Sequence, residues 1–182
     1  YLALVAYLGA SALYIASLAV RLAALMVGAT ALTRAAFLFH TAAVAARWVT
    51  AGYPPLSNIY EMVLMFSWGV VAFQIFAEWK LAMQFLGAIT LPVAALSLIL
   101  MQVLPGEIRP LVPALQSTWL QIHVSLAVLS YAGFTLSFAA GVLYFVKDGT
   151  SPRTFLNWVS GLVAGIYGVV VLSSVESGWN LL

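Results

Sequence analysis

Two histidines, two arginines and one glutamate hold most of the chemistry that this sequence offers. His123 follows Gln116, Ser117, Trp119 and Gln121 and leads into a long apolar run. It therefore stands about one helical turn inside the mouth of a membrane span. Trp119 and His123 are four residues apart and share a helix face, so an indole and an imidazole are placed to frame one flat ligand. A histidine at that depth serves as a metal ligand, a proton carrier or an axial ligand of a cofactor. The structural alternative is an interfacial histidine bonded to a loop, beside a tryptophan anchored at headgroup level.

His40 lies near mid-membrane, about 15 Å below the outer end of its span. It is read either as a ligand or as a hydrogen bond to a neighbouring helix. Arg47 closes the same span, where it can meet an anionic ligand or snorkel to the interface. Arg109 lies in a proline-marked loop on the same side. Glu61 sits about a turn inside the helix that follows the YPPLSN segment, a position favoured by the positive helix N-terminus. A carboxylate there needs a partner, and Arg47 and Arg109 are the candidates. The structural reading is a helix cap with an ion pair.

Other chemistries find no support. No GxSxG elbow, P-loop or HExxH pattern occurs, and the five acidic residues are scattered. The absence of cysteine excludes disulfides and thiolate metal sites within this chain. A net charge of +2 is too small and dispersed for a nucleic-acid surface. For a transport path at the midplane the sequence offers only His40, Gln74, Gln84 and Gln102, which disfavours a small transporter.

The elements that must position these residues are membrane helices. The chain has 182 residues, 64% hydrophobic and 7% charged, with a mean hydropathy of +1.08. Soluble domains carry about 25% charged residues. Apolar runs of span length recur without β-barrel alternation, so the expected fold is all-α, a polytopic helical bundle of about six spans in a single transmembrane domain. The spans are placed at about 1–20, 29–50, 57–77, 81–104, 119–146 and 155–173. Gly52, Pro54 and Pro55 break the chain before the third, which Ser57 or Asn58 caps, and Pro92 interrupts the fourth. The chain opens in an apolar run at Tyr1, and no signal peptide is expected.

Basic residues set the expected orientation. Arg21, Arg34, Lys80, Lys147 and Arg153 fall on one side of a six-span bundle, Arg47 and Arg109 on the other. The first side is assigned to the cytoplasm. The YPPLSN loop and the loop before His123 then share the outer face, which becomes the working side.

Two stretches carry a family resemblance. FHTAAVAARWVTAGYPPLSNIYEMVLMFSW (39–68) resembles the second-to-third span region of CcsA/ResC-type cytochrome c biogenesis proteins. LVPALQSTWLQIHVSLAVLSYAGFTLSFAAGVLY (111–144) resembles the segment that precedes that family's haem-handling loop, and PALQSxWLxIHV followed by SYA is its most specific part. Together they cover about a third of the chain, in the family's order and spacing.

The resemblance implies a membrane protein that presents haem b at the outer face for covalent attachment to apocytochrome c. It implies a ResB/CcsB-type membrane partner, and a location in the bacterial plasma membrane or, alternatively, the thylakoid, with a periplasmic or lumenal working face. By matching position it makes His123 an external axial ligand of haem iron, flanked by Trp119. Arg47 and Arg109 become candidate propionate partners, and His40 has counterparts in many members. The family's tryptophan-rich WGxYWxWDPKE loop is not matched; Glu176, Gly178 and Trp179 stand where it would start. Two readings stay open: a component of a cytochrome c synthase whose loop lies beyond this stretch, and a CcsA-like non-catalytic structural or haem-binding subunit of a larger membrane complex.

Overall fold

The structure, a computed structural model, describes residues 1–20, 22–149, 153, 154, 157, 160, 161, 164 and 165. Among them are five long helices and no strand: α1 (Leu2–Val20), α2 (Ala23–Ala51), α3 (Ile59–Leu81), α4 (Gly87–Met101) and α5 (Thr118–Lys147). Each is long and apolar enough to cross a membrane, α4 together with the 3-10 turn Gln84–Leu86 before it. The all-α membrane bundle is therefore observed. The expected sixth span and the tail after it lie outside the described residues, apart from isolated positions. Residues 1–140 form one compact unit and residues 141–182 a second.

Local sequence explains the helix ends. Gly52 closes α2 with φ +77°, a backbone region that glycine enters without a Cβ clash, and its N–H returns to the Trp48 carbonyl. Asn58 then caps α3, its side-chain oxygen accepting the Glu61 N–H at 2.9 Å. α3 runs past the expected end of its span to Leu81, so Glu78 is a helix residue rather than a loop residue. Likewise α2 begins at Ala23, several residues before the expected 29. Pro92 lies inside α4, where it removes one backbone donor.

Within the first unit, α1 packs on α2 and α4, while α3 packs on α4 and α2, closing a four-helix ring. Buried alanines (10, 29, 36, 77, 94 and 95) let the backbones approach, as small residues do where lipid offers no hydrophobic drive between helices. Gly87 makes the closest approach: a Cβ there would meet the Tyr14 ring at 2.6–2.7 Å. The outer surfaces keep Leu38, Phe39, Phe76 and Leu96 exposed, as a lipid-facing bundle requires.

The interior is not purely apolar. Ser11, Ser17, Thr33, His40, Glu61, Ser67, Gln74, Glu78 and Thr90 are all buried. Polar side chains in a membrane bundle turn inward because lipid satisfies none of their hydrogen bonds. Several hydroxyls settle on their own helix, as Ser11 does on the Tyr7 carbonyl and Thr33 on that of Ala29, both at 2.8 Å. Within residues 1–140, α5 is held more sparsely: Val128, Ala132 and Ala139 are its buried residues. Gly69 of α3 faces Ala132, with space for a Cβ only 3.0 Å from that of the alanine.

Candidate functional site

The end of the ring where α2 stops and α3 starts is built around one buried ion pair. Glu61 is fully buried, and its Oε1 accepts Arg47 Nε at 2.8 Å. Its Oε2 accepts both the backbone N–H and the hydroxyl of Ser57, each at 2.7 Å. With Asn58 capping in the opposite direction, the turn before α3 is locked by reciprocal bonds. Arg47 Nη1 donates to the Gly106 carbonyl at 2.9 Å, and the guanidinium lies 4.6 Å from the Tyr60 ring centroid. The arginine thus ties α2, α3 and the loop after α4 together.

Arg109 stands apart from this pair. It meets Glu107 at 2.9 Å with both side chains largely exposed, a contact worth little against solvent. Its backbone carbonyl accepts the Tyr53 hydroxyl at 2.6 Å. This cross-link and a recess of about 160 Å³ lined by Ser57, Asn58, Arg109 and Leu111 join the two loops. The first turns of α5 meet the same loops through Leu120, Gln121 and Val124, which share a small pocket with Pro54, Leu56 and Ser57.

Trp119 and His123 lie on α5 away from that packed face, and both are exposed. Among the described residues, the His123 imidazole has no hydrogen-bond partner. The structure leaves Trp119 and His123 exposed on α5, while Arg47 is committed to Glu61. Arg109 is engaged by the exposed Glu107.

His40 has a different setting. It is 1% exposed, with Nδ1 3.2 Å from the Tyr7 hydroxyl and the two ring centroids 5.9 Å apart. Its Nε2 is buried without a partner. No contact joins His40 to His123.

A second buried cluster, at the opposite end of α3, escapes the sequence reading. Glu78 Oε1 accepts hydrogen bonds from the Tyr14 hydroxyl and from Gln74 Nε2, the latter at 3.0 Å. Thr90 in turn donates to Gln74 Oε1 at 2.8 Å, and Thr30 Oγ1 lies 3.3 Å from the Tyr14 oxygen. Glu78 Oε2 is buried without a partner. The signals available in the sequence are the i,i+4 spacing of Gln74 and Glu78 and the run Tyr7, Ser11, Tyr14 along one face of α1.

Comparison with known proteins identifies the family of the chain. Residues 56–170 match the family model described as cytochrome C assembly protein. The cytochrome c biogenesis protein CcsA of Microcystis aeruginosa is 39% identical over 109 residues, covering 58% of this chain and 33% of its own length. The CcsA of Synechocystis sp. is 39% identical over 130 residues, 69% of this chain and 39% of its own. That of Pyropia yezoensis is 38% identical over 122 residues, 65% and 38% respectively. The chain spans about a third of the length of the curated relatives it matches. With well over half of its residues inside the family model, the chain belongs to the cytochrome c assembly protein family.

Proposed function

We propose that this member of the cytochrome c assembly family handles haem during cytochrome c maturation, holding it at the outer membrane face for attachment to apocytochrome c. The observation that carries the reading is the exposed, unpartnered imidazole of His123, one helical turn from the exposed indole of Trp119. Haem b is then the cargo. A neutral imidazole nitrogen is a common axial ligand of haem iron, and an indole on the same helix face can flank the porphyrin.

Arg109 suits a propionate, because its present partner is a solvent-exposed glutamate that is readily exchanged. Arg47 supports the site indirectly, by fixing the turn before α3. His40 would admit a porphyrin only if the bundle opened around it, since it is almost wholly enclosed. The reacting atoms of thioether formation belong to the haem vinyl groups and the apocytochrome thiols; the protein supplies binding and orientation. A ResB/CcsB-type membrane partner and a periplasmic or lumenal working face complete the proposal.

The test is a spectrum. Purified in mild detergent, the protein is expected to carry near-stoichiometric haem by pyridine haemochrome, with a sharp reduced α-band. His123→Ala is expected to lose most of that haem and, compared haem-free, to keep the thermal unfolding midpoint of the wild type, because the side chain is exposed and unbonded. Unchanged haem content in the variant would overturn the ligand role.

A further inference from the structure

Arg34 has no part in the haem site proposed above, and no group among the described residues answers its charge. The ion pairs there are Arg47–Glu61 and Arg109–Glu107, and Glu78 meets Tyr14 and Gln74 instead. We infer that the cleft beside Arg34, formed by α1, α2 and the 3-10 turn before α4, binds an anionic phospholipid. The Arg34 guanidinium and the Gln84 amide hold its phosphate, and an acyl chain lies along Met26 and Val27.

Depth is the first support. α2 is 29 residues long, or about 43 Å, and Arg34 stands about 16 Å beyond its first residue. A hydrocarbon core is about 30 Å thick. Wherever that core falls along α2, the Cα of Arg34 lies inside it. An arginine at that depth is costly without an anionic partner, and its long side chain reaches along the helix toward the headgroups. The cleft runs the same way. Met26, Thr30 and Arg34 follow at four-residue steps along one face of α2, and Leu22 ends the row at the turn from α1.

The free hydrogen-bond donors are the second support. Ser17 donates to the Tyr14 carbonyl at 2.7 Å. Tyr14 gives its single hydroxyl hydrogen to Glu78, so Thr30 is the donor in the 3.3 Å contact between the two hydroxyls. Both hydroxyls of the cleft are therefore engaged. Arg34 and Gln84 are exposed and make no side-chain bond among the described residues. A guanidinium fork matches two phosphate oxygens, and an amide N–H serves a third. No carboxylate lines the cleft to repel them.

The shape and the surroundings select a lipid over a free anion. The cleft measures about 530 Å³, and Leu22, Met26 and Val27 give it an apolar wall that inorganic phosphate cannot use. Nearby, α3 ends with an exposed Trp79 whose ring centroid lies 3.7 Å from the Lys80 ammonium, and Gln84 follows shortly after. Tryptophan and lysine are the residues of a membrane interface. Two cations at this end of the ring favour an anionic headgroup over a zwitterionic one.

Native mass spectrometry of the haem-free protein, with graded phosphatidylglycerol or phosphatidylcholine, counts the bound lipid. The expected result is one saturable phosphatidylglycerol adduct, about fivefold tighter than phosphatidylcholine, the factor that one basic residue near an anionic headgroup supplies. Arg34→Gln should abolish the preference, whereas Lys80→Gln, which leaves the cation of the cleft in place, should keep the adduct. An undiminished preference in Arg34→Gln would overturn the inference. Millimolar inorganic phosphate should leave the adduct bound; displacement would mean a free-anion site and would overturn the lipid. A second measurement needs no variant: phosphatidylglycerol with a photoreactive acyl chain should label residues 22–27 more than phosphatidylcholine does, with equal labelling at Leu38 and Leu96. Equal labelling of residues 22–27 by both lipids would overturn the site. Because haem is absent throughout, each outcome is independent of the haem reading.

Discussion

α3 begins and ends with a buried glutamate, and the two are built in opposite ways. Glu61 lies in the first turn, faces a guanidinium at 2.8 Å and receives two further donors from Ser57. Helix dipole, ion pair and hydrogen bonds all stabilise its negative charge. Glu78 lies in the last turn, receives a phenol and an amide on one oxygen, and has no cationic partner among the described residues. One helix thus carries an ion-paired carboxyl at one end and a carboxyl held by neutral donors at the other. Burial alone does not reveal which role a carboxyl has; the partners decide.

The largest effect that separates the two ends is expected from Arg47→Ala. The change strands a fully buried carboxylate, and losing one member of a buried pair typically costs about 3–5 kcal/mol. It also frees the Gly106 carbonyl, so the loop after α4 should loosen. Unfolding in detergent, followed by helical circular dichroism, measures this. Because an apolar replacement of the whole pair is often close to neutral, Arg47→Met combined with Glu61→Leu should recover most of the loss. A single variant as stable as the wild type would mean that the ion pair holds Glu61 no more firmly than neutral donors hold Glu78, and the contrast would fail.

Gly87→Ala tests the opposite end with a smaller expected effect. The new methyl would lie 2.6–2.7 Å from Tyr14 ring atoms, so the ring must move. Overpacking of this kind costs about 1–3 kcal/mol. More telling is where the strain goes: a displaced Tyr14 weakens its bond to Glu78, while the Arg47–Glu61 end stays unaltered. In a Tyr14→Phe background, which already lacks that bond, Gly87→Ala should therefore cost less than it does alone; an equal cost in both backgrounds would mean that the Tyr14–Glu78 bond takes up none of the strain.

How legible these two ends are in the sequence differs for a physical reason. The Glu61 end is announced locally: Gly52, Pro54, Pro55 and Asn58 fix the break and the cap. Arg47 and Glu61 are rare charges only fourteen positions apart, so their pairing can be anticipated. Trp119 and His123 need nothing more than helical spacing. The Glu78 end depends on four helices meeting. Glu78 reads as the start of a charged Glu-Trp-Lys loop, and the sequence places the span boundary before it. Only when α1, α2 and α4 close around α3 do Tyr14, Thr30 and Thr90 become its surroundings. For the same reason the start of α4 is misplaced by a local reading, because a 3-10 turn at Gln84–Leu86 replaces its first α-helical turn. Hydropathy locates the apolar runs, whereas tertiary contact decides which polar residues at their margins are drawn inside.

The smallest expected effect is the most discriminating. Glu78→Gln replaces a carboxyl that has no cationic partner among the described residues with an amide of nearly the same shape. The amide oxygen can accept from Tyr14 and Gln74 as Oε1 does, and its NH2 takes the place of the unpartnered Oε2. The change in unfolding free energy should therefore stay below about 1 kcal/mol, within the range of a single neutral hydrogen bond. The same substitution at Glu61 removes the charge that Arg47 and Ser57 are arranged around, and its cost should exceed that of Glu78→Gln clearly. Measured side by side under one condition, the two isosteric changes cancel differences in size and in unfolded-state behaviour. If both cost the same, the two ends of α3 hold the same kind of carboxyl, and the contrast between them falls.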